Sequence, residues 1–377
     1  MKLPWTRSED QKSVSGLTVA LSQLGAARWG GRDAVSLSRD GYLRNVIVHR
    51  CIRMVSEAAA SVPLETSNAE IRMLLGHPMP EDSGQELLER IYHQLQISGN
   101  AYIEAVLLEE TGAPSGLQAL RPDRMKANLD PRGWVSTWTY TVDRRERTIQ
   151  RTDKGWSPLL HLKLFHPGDD IYGLPPLAAA RQALDLHNSG ADWAKALIDN
   201  SARPSGALIY GQDGSHMTEE QFERLQSELT LAHTGPSNAG RPLLLEGGLE
   251  WKPMSLSPAE MDFLEARNGA AREIALAFGV PPMLLGIPGD NTYANYREAN
   301  LAFWRLTILP LVQRTARSIG HWLSARIEEN VDLIPQLDHV PALSSEREKL
   351  WARLESATFI SADEKRALAG FPPESAS

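Results

Sequence analysis

Glu273-Ile-Ala-Leu-Ala-Phe-Gly-Val-Pro-Pro-Met-Leu-Leu-Gly286, followed by Asn291-Thr-Tyr-Ala-Asn295, joins the end of one helix to the start of another. Leu264, Ala271, Ile274, Ala275 and Phe278 repeat at helical spacing. Ser257-Pro-Ala-Glu260 supplies a capping box with proline at the first helical position, so a helix is predicted from about 258 to Phe278. Gly279 and Pro281-Pro282 stop it, because glycine accepts the left-handed closing residue and proline brings no N–H to continue the ladder. Met283, Leu284 and Leu285 then sit in a loop interrupted by Gly286 and Pro288; they have the look of apolar residues exposed between helices for a functional role, the alternative being that they pack under the long helix. A long helix is predicted from Tyr296 to Glu328, with Leu301, Trp304, Ile308, Leu311, Thr315, Ile319 and Trp322 on one face. Pro310 lies inside it and should kink it.

Upstream, Pro175-Pro176 opens a helix whose residues Leu177, Ala180, Leu184, His187, Ala191, Ala194 and Ile198 step by three and four. A seam this rich in alanine and histidine suits close packing against a neighbouring helix. Between these two helices lies an insert with the order strand (Ser205 to Tyr210), helix (Glu219 to His233) and strand (Leu243 to Glu246), the helix fixed by a Thr218–Gln221 capping box. After the long helix, Ser345 with Glu348 and Ser361 with Glu364 each mark the start of a short helix, and Gly370 ends the last.

The N-terminal part reads as a mixed region. Residues 1–40 are rich in Ser, Gly, Arg and Asp and suggest an arm. Helices are expected from Tyr42 to Ser61 and from Gln85 to Ser98, the second terminated by Gly99-Asn100. Ile47, Cys51, Met54, Ala58 and Val62 share one face of the first, which makes Cys51 a small core hydrophobe. Strands are expected at Ala101–Leu108, Trp134–Val142, Thr148–Thr152 and Leu159–Phe165, with Asp143–Arg147 as a turn. Strict alternation puts Trp134, Trp138, Tyr140 and Val142 on one side of the second strand. The fold class is therefore α+β.

With 377 residues and 42% hydrophobic content the chain can build two or three cores, and its formal charge of −8 is the wrong sign for gripping nucleic acid over most of its surface. One cysteine excludes an intrachain disulfide and a cysteine zinc cluster, and fits a reducing compartment. No secretory signal and no apolar run of membrane-spanning length is present, so synthesis in the cytoplasm without a membrane role is expected. No Gly-Lys pair exists, which excludes a phosphate-binding loop of the ATPase type, and neither a Gly-x-Ser-x-Gly elbow nor a His-Glu-x-x-His helix occurs. No catalytic residue and no cofactor is expected. Two alternatives keep a foothold. His161, His166, Asp169 and Asp170 have the composition of a metal-dependent phosphoesterase site, though Pro167-Gly168 before the aspartates is ordinary turn chemistry. Arg144, Arg145, Arg147 and Arg151 could touch phosphates, though charged hairpin turns usually serve solubility.

Gly173-Leu-Pro-Pro-Leu177, Asn200-Ser-Ala-Arg-Pro-Ser-Gly206, Asn238-Ala-Gly240 with Leu243 to Gly248, and above all Phe278 to Gly286 with Thr292-Tyr-Ala-Asn295 resemble the portal proteins of tailed bacteriophages, most closely those of gene transfer agents. The resemblance spans about residues 40–330. It implies a portal fold: an N-terminal arm (1–40), an α/β wing (41–174), paired stem helices (175–200 and 258–280) and a small α/β clip (201–257). A tunnel loop (281–295), a spine helix returning to the wing (296–343) and a short helical crown (344–377) complete it. It also implies a homo-oligomeric ring of about twelve subunits at one capsid vertex, where double-stranded DNA is packaged and ejected without sequence-specific binding. Terminase large subunit, a head–tail connector and the major capsid protein are the implied partners, and the virion or gene-transfer-agent vertex the destination. The resemblance assigns Met283, Leu284, Leu285, Ile287, Asp290, Asn291, Tyr293 and Asn295 to the DNA channel. It assigns Glu219, Glu220, Glu223, Arg224, Gln226 and Ser227 to partner docking by the clip. Leu177, Leu184, Ala191, Ile198, Leu264 and Ala271 become inter-subunit packing residues of the stem. Replacing Leu284 and Leu285 with Asp is then expected to spare ring assembly and block packaging. The structural alternative is a capsid or scaffold component without a DNA channel.

Overall fold

The computed structural model describes residues 34–108, 112–199, 206–210, 218–221, 223, 224, 227, 249–253, 263–288 and 293–370. A helical segment, Ala34–Leu37 continuing as Ser38–Leu43, precedes α1 (Val46–Ala60). Asn45 separates them: its backbone is extended, and its Oδ1 accepts the N–H groups of Ile47 at 3.0 Å and Val48 at 3.1 Å. The helix expected from Tyr42 therefore starts at Val46. Its inward face is Val48, Cys51, Ile52, Val55 and Ala59, while Ile47, Met54 and Ala58 flank it.

After β1 (Leu64–Glu65) and α2 (Ala69–Gly76), α3 (Gly84–Ser98) forms where it was expected, starting one residue earlier. Ser83 and Glu86 close a capping box, Leu88, Ile91 and Leu95 are buried, and Gly99 ends the helix at φ 74°. β2 (Asn100–Leu107) is the middle strand of an antiparallel sheet between β3 (Pro114–Leu120) and β7 (Leu159–Lys163). A second antiparallel sheet has the order β4 (Met125–Leu129), β5 (Val135–Val142), β6 (Arg145–Ile149). Asp143 and Arg144 take positive φ values of 48° and 67°, so the hairpin turns in two residues and β6 begins earlier than expected. Trp138 turns inward with Tyr102, Leu120, Met125, Ile149 and Leu159 to form a small core between the sheets. Trp134 was expected beside it but precedes the ladder and is 73% exposed.

The helix expected from Pro175 is divided. Pro176–Ala179 forms one turn, Ala180 leaves helical geometry (φ −86°, ψ 9°), and α4 (Arg181–Asp199) continues. β8 (Gly206–Tyr210) pairs antiparallel with β9 (Leu249–Pro253), a strand the sequence did not reveal. The strand expected at Leu243–Glu246 and the Ser257–Glu260 box lie outside the described residues. The Thr218–Gln221 box is formed, and residues 219–221, 223, 224 and 227 are helical.

α5 (Phe263–Ala277) packs against α4 and α1. The long helix begins at Tyr293: α6 (Tyr293–Phe303) passes through a π-turn, Trp304–Ile308, into α7 (Leu309–Ile327). Pro310 explains the place of that turn. Its missing N–H leaves a carbonyl one turn earlier without an α-type donor, and the chain widens so that the Leu309 N–H bonds to the Trp304 carbonyl. β10 (Ile334–Pro335) then pairs with β1, bringing the end of the long helix back to the first helix. α8 (Ser344–Ser356) and α9 (Ala362–Ala369) close the described chain. The Ser361–Glu364 box forms, but α8 starts at Ser344 with no side-chain cap, so the Ser345–Glu348 box does not. One large core gathers α1, α3, the β2 sheet, the start of α4, α5 and α7. Among the described residues no helix is long and apolar enough to cross a membrane.

Candidate functional site

Two glycine-centred crossings hold the junctions that the distinctive motifs mark. Gly173 passes over Gly99: a Cβ on Gly173 would lie 2.1 Å from the Gly99 carbonyl oxygen. Asn100 fastens the crossing, its Oδ1 accepting the Gly173 N–H at 2.7 Å and the His161 Nε2–H at 2.9 Å. Leu177, four residues on, is fully buried and drives the start of the following helix into the large core.

The second crossing lies at the end of α5. Phe278 and Val280 are buried on either side of Gly279, which takes φ 65°. Thr307, within the π-turn of the long helix, donates its hydroxyl to the Gly279 carbonyl at 2.7 Å. A Cβ on Gly279 would lie 2.5 Å from that hydroxyl oxygen, so only glycine fits both the backbone angle and the approach. Pro282–Leu285 then forms a 3-10 turn closed by Gly286 at φ 72°, and Arg272 of α5 donates to the Pro288 carbonyl.

The loop's apolar residues are less open than their sequence suggested. Leu284 and Leu285 are half-buried against the large core, Met283 is half-buried, and Ile287 is 6% exposed. They pack at least partly into the subunit, so Leu284→Asp and Leu285→Asp should weaken the fold itself, whereas the expectation was that ring assembly would be spared and packaging alone blocked. Asn295 is exposed at the start of α6, Tyr293 lies in that helix, and Asp290 and Asn291 fall outside the described residues.

The stem residues divide likewise. Leu177 and Leu184 are 0% and Ala271 4% exposed within one chain, where α4 and α5 pack together. Those three have no surface to offer a second subunit, which corrects their assignment to inter-subunit contact. Ala191 is half-buried, and Ile198 and Leu264 lie in α4 and α5 with their side chains outside the description. In the insert Glu219, Glu220, Glu223, Arg224 and Ser227 are exposed, and Gln226 is outside the described residues.

The four residues of the metal alternative are each engaged separately. His161 stacks on Tyr102 at 4.5 Å and 10°, and burial pushes its pKa down to about 4. His166 accepts the Gly168 N–H at 3.0 Å. Asp169 accepts the N–H groups of Ile171 and Tyr172 at 2.7 and 2.9 Å, which holds its carboxyl below the usual range. The Asp170 backbone carbonyl accepts from Lys163. No group of three or more His, Cys, Asp or Glu among the described residues is placed to hold a metal ion. Of the four arginines, Arg147 is paired with Glu104 and lies over Tyr140, and Arg151 donates to the Gly155 carbonyl at 3.0 Å. Burial raises the Cys51 thiol to about 12, as its core position requires. Sequence reasoning read Asn100 only as part of a helix terminator and missed Thr307, because a side chain that fastens two distant backbones leaves no periodic signal.

Residues 46–370 match the family model described as phage portal protein. The chain belongs to that family. It is also 50% identical to a chain in the virion of a native gene transfer agent particle, with TM-score 0.69 over 96% of this chain and 100% of that one. A chain from the neck of a native gene transfer agent particle computed with C12 symmetry gives 50% identity, TM-score 0.68 and the same coverage. The portal protein of Enterobacteria phage HK97 is 26% identical, over 76% of this chain and 69% of that one. In this chain the glycines at both crossings are folding requirements of the junctions they form, because a Cβ on either would collide with the segment it passes.

Proposed function

We propose that this chain is the portal subunit of a gene transfer agent or tailed-phage head, a ring of about twelve copies at one capsid vertex through which double-stranded DNA enters and leaves. The observation that carries the proposal is the 50% identity over 96% of the chain to a neck chain computed with C12 symmetry. In this reading residues 41–174 and 296–343 form the wing and spine, and α4 and α5 the stem. Residues 201–257 form the clip that meets terminase large subunit and then the head–tail connector. Residues 281–295 form the loop nearest the DNA, residues 344–377 the crown, and the major capsid protein surrounds the ring after synthesis in the cytoplasm.

The physical chemistry agrees. A conduit must let its cargo slide, and a ring of roughly twelve chains each carrying −8 repels a polyanion instead of holding it. Leu276 and Leu306, 78% and 77% exposed near the Gly279 crossing, are apolar surface that a neighbouring copy would cover. Native mass spectrometry of the purified chain with negative-stain images tests the ring. Closed rings with a central hole support it, whereas a compact dimer that cleaves DNA would overturn it.

A further inference from the structure

A groove of about 340 Å³ opens beside Val35, one residue after the described chain begins. One wall is the helical segment Ala34–Leu43; the other is the end of α3 with the 3-10 turn Pro122–Arg124. The first wall is seated from behind. Leu37 is 2% exposed, and Gly41 lies so close to Leu177 that a Cβ there would meet its Cδ2 at 2.5 Å. Toward the groove that segment presents Val35 and Leu43, 63% and 75% exposed, and Ile97 and Pro122 line the other side.

The lining determines what fits. Its charged residues are already matched, Arg39 with Asp40 at 3.1 Å and Arg121 with Asp123 at 2.8 Å, so a polyanion or a strongly acidic partner finds no complementary excess of charge. The rest is apolar except at Gln94, whose Oε1 is buried without a hydrogen-bond partner among the described residues. A dry acceptor in an otherwise apolar wall calls for an occupant that brings a donor together with an apolar face.

The chain itself carries such an occupant. Residues 1–33 lead directly into the groove's own wall. Among them Val14, Leu17, Leu21 and Leu24 step by three, four and three, the spacing of one helical face, with the Thr18 hydroxyl beside it and Ser15, Ser22 and Gln23 on the opposite side. Nine residues, 25–33, three of them glycine, link this stretch to Ala34. They reach at most about 30 Å, so the stretch is held near the groove at an effective concentration on the order of millimolar, an advantage no separate molecule has.

We propose that the groove is the seat of the chain's own N-terminal segment: Leu17, Leu21 and Leu24 enter between Val35, Leu43 and Ile97, as an amphipathic helix enters an apolar groove. The docked segment braces the wall that Gly41 and Leu177 tie to the start of the paired helices. This contact lies within one subunit, so its failure would leave the ring proposed above untouched.

Disulfide trapping in the full-length chain tests it. Cysteines are placed one at a time at positions 14–24, each together with Ser38→Cys on the groove wall; native Cys51 is buried and stays out of the reaction. Under mild oxidation, intrachain bridging from Leu17→Cys, Leu21→Cys or Leu24→Cys should run at least about tenfold faster than from Val19→Cys or Ser22→Cys. A flat profile along the segment, or no bridging at any position, would overturn the docking. Chains carrying only the segment cysteine are also mixed with chains carrying only Ser38→Cys. Bridges between those chains at the intrachain rate would give the groove to a second copy and overturn the same-chain assignment. Finally, a Leu17→Asp, Leu21→Asp variant should exchange the backbone amides of Ala34–Leu43 at least about fivefold faster than the wild type, because their cover is gone. Unchanged exchange there would contradict the proposal as well.

Discussion

The Thr307 hydroxyl donates to the carbonyl of Gly279 at 2.7 Å, joining the π-turn of the long helix to the end of α5. Both residues sit at points where the regular ladder fails, one because of Pro310 and the other because of Pro281 and Pro282. The bond therefore couples the two helices at the root of the loop that leads to residue 288.

Gly279→Ala should destabilise the subunit by about 2 kcal/mol, since it places a Cβ in a left-handed residue and 2.5 Å from Thr307 Oγ1. Thr307→Ala should cost about 1 kcal/mol, the ordinary worth of one hydrogen bond. The double variant should lose less than the sum, because removing the hydroxyl removes the clash. Denaturant midpoints of the four proteins check this; strict additivity would show that the two residues are not coupled.

Stability should fall in mild acid because of His161. Its pKa in the folded chain is down at about 4, from an ordinary 6.5, so the unfolded chain binds the proton first as pH drops. The contribution, on the order of 3 kcal/mol, is complete above about pH 6.5 and is lost between there and about pH 4. His161→Phe should lower stability at pH 7 but flatten the slope between pH 7 and 5. An equal slope in both proteins would contradict the assignment.

Much of the helical frame was legible because caps are local. Gly99, Thr218 with Gln221, and Ser361 with Glu364 all mark real boundaries, while the Ser83–Glu86 box that opens α3 went unread. Strands were harder: β3 contains Pro114, Ser115 and Gly116 and β4 is five residues long, so neither shows clear alternation, yet β2 and β5 pair with them. The seam of α4 was readable as a face but not as a partner. Leu177 and Leu184 turn that face into their own subunit, and periodicity alone does not say whose core a stripe enters. Between the two readings of Leu284 and Leu285, exposed or packed under the long helix, sequence could not choose for the same reason, since a short apolar run looks exposed until the core it covers is known.

Cys51 should be inert in the folded protein. It is fully buried with its thiol pushed up to about 12, so at pH 8 a maleimide or disulfide reagent should label it only after denaturation. Stoichiometric labelling of the native chain within minutes would show that α1 opens far more readily than its packing implies.

For the proposal that residues 281–295 lie nearest the DNA, Met283→Asp is a better probe than Leu284→Asp, because Met283 is half-buried without belonging to the apolar cluster that holds Leu284 and Leu285. Met283→Asp should retain the wild-type melting temperature within a few degrees and lower DNA packaged per particle several-fold. Leu284→Asp should lower the melting temperature more than Met283→Asp does, because it puts a charge where a half-buried side chain packs against the large core. Packaging unchanged in Met283→Asp would remove the loop from the path of DNA.

The most direct measurement of the central claim is the mass and shape of the assembled species, by native mass spectrometry and electron microscopy of the chain purified alone and co-expressed with its capsid protein. A closed ring of about twelve copies of the 41.7 kDa chain, near 500 kDa with a central hole, is predicted. Folded monomers or dimers in both preparations, with no ring at the capsid vertex, would contradict it.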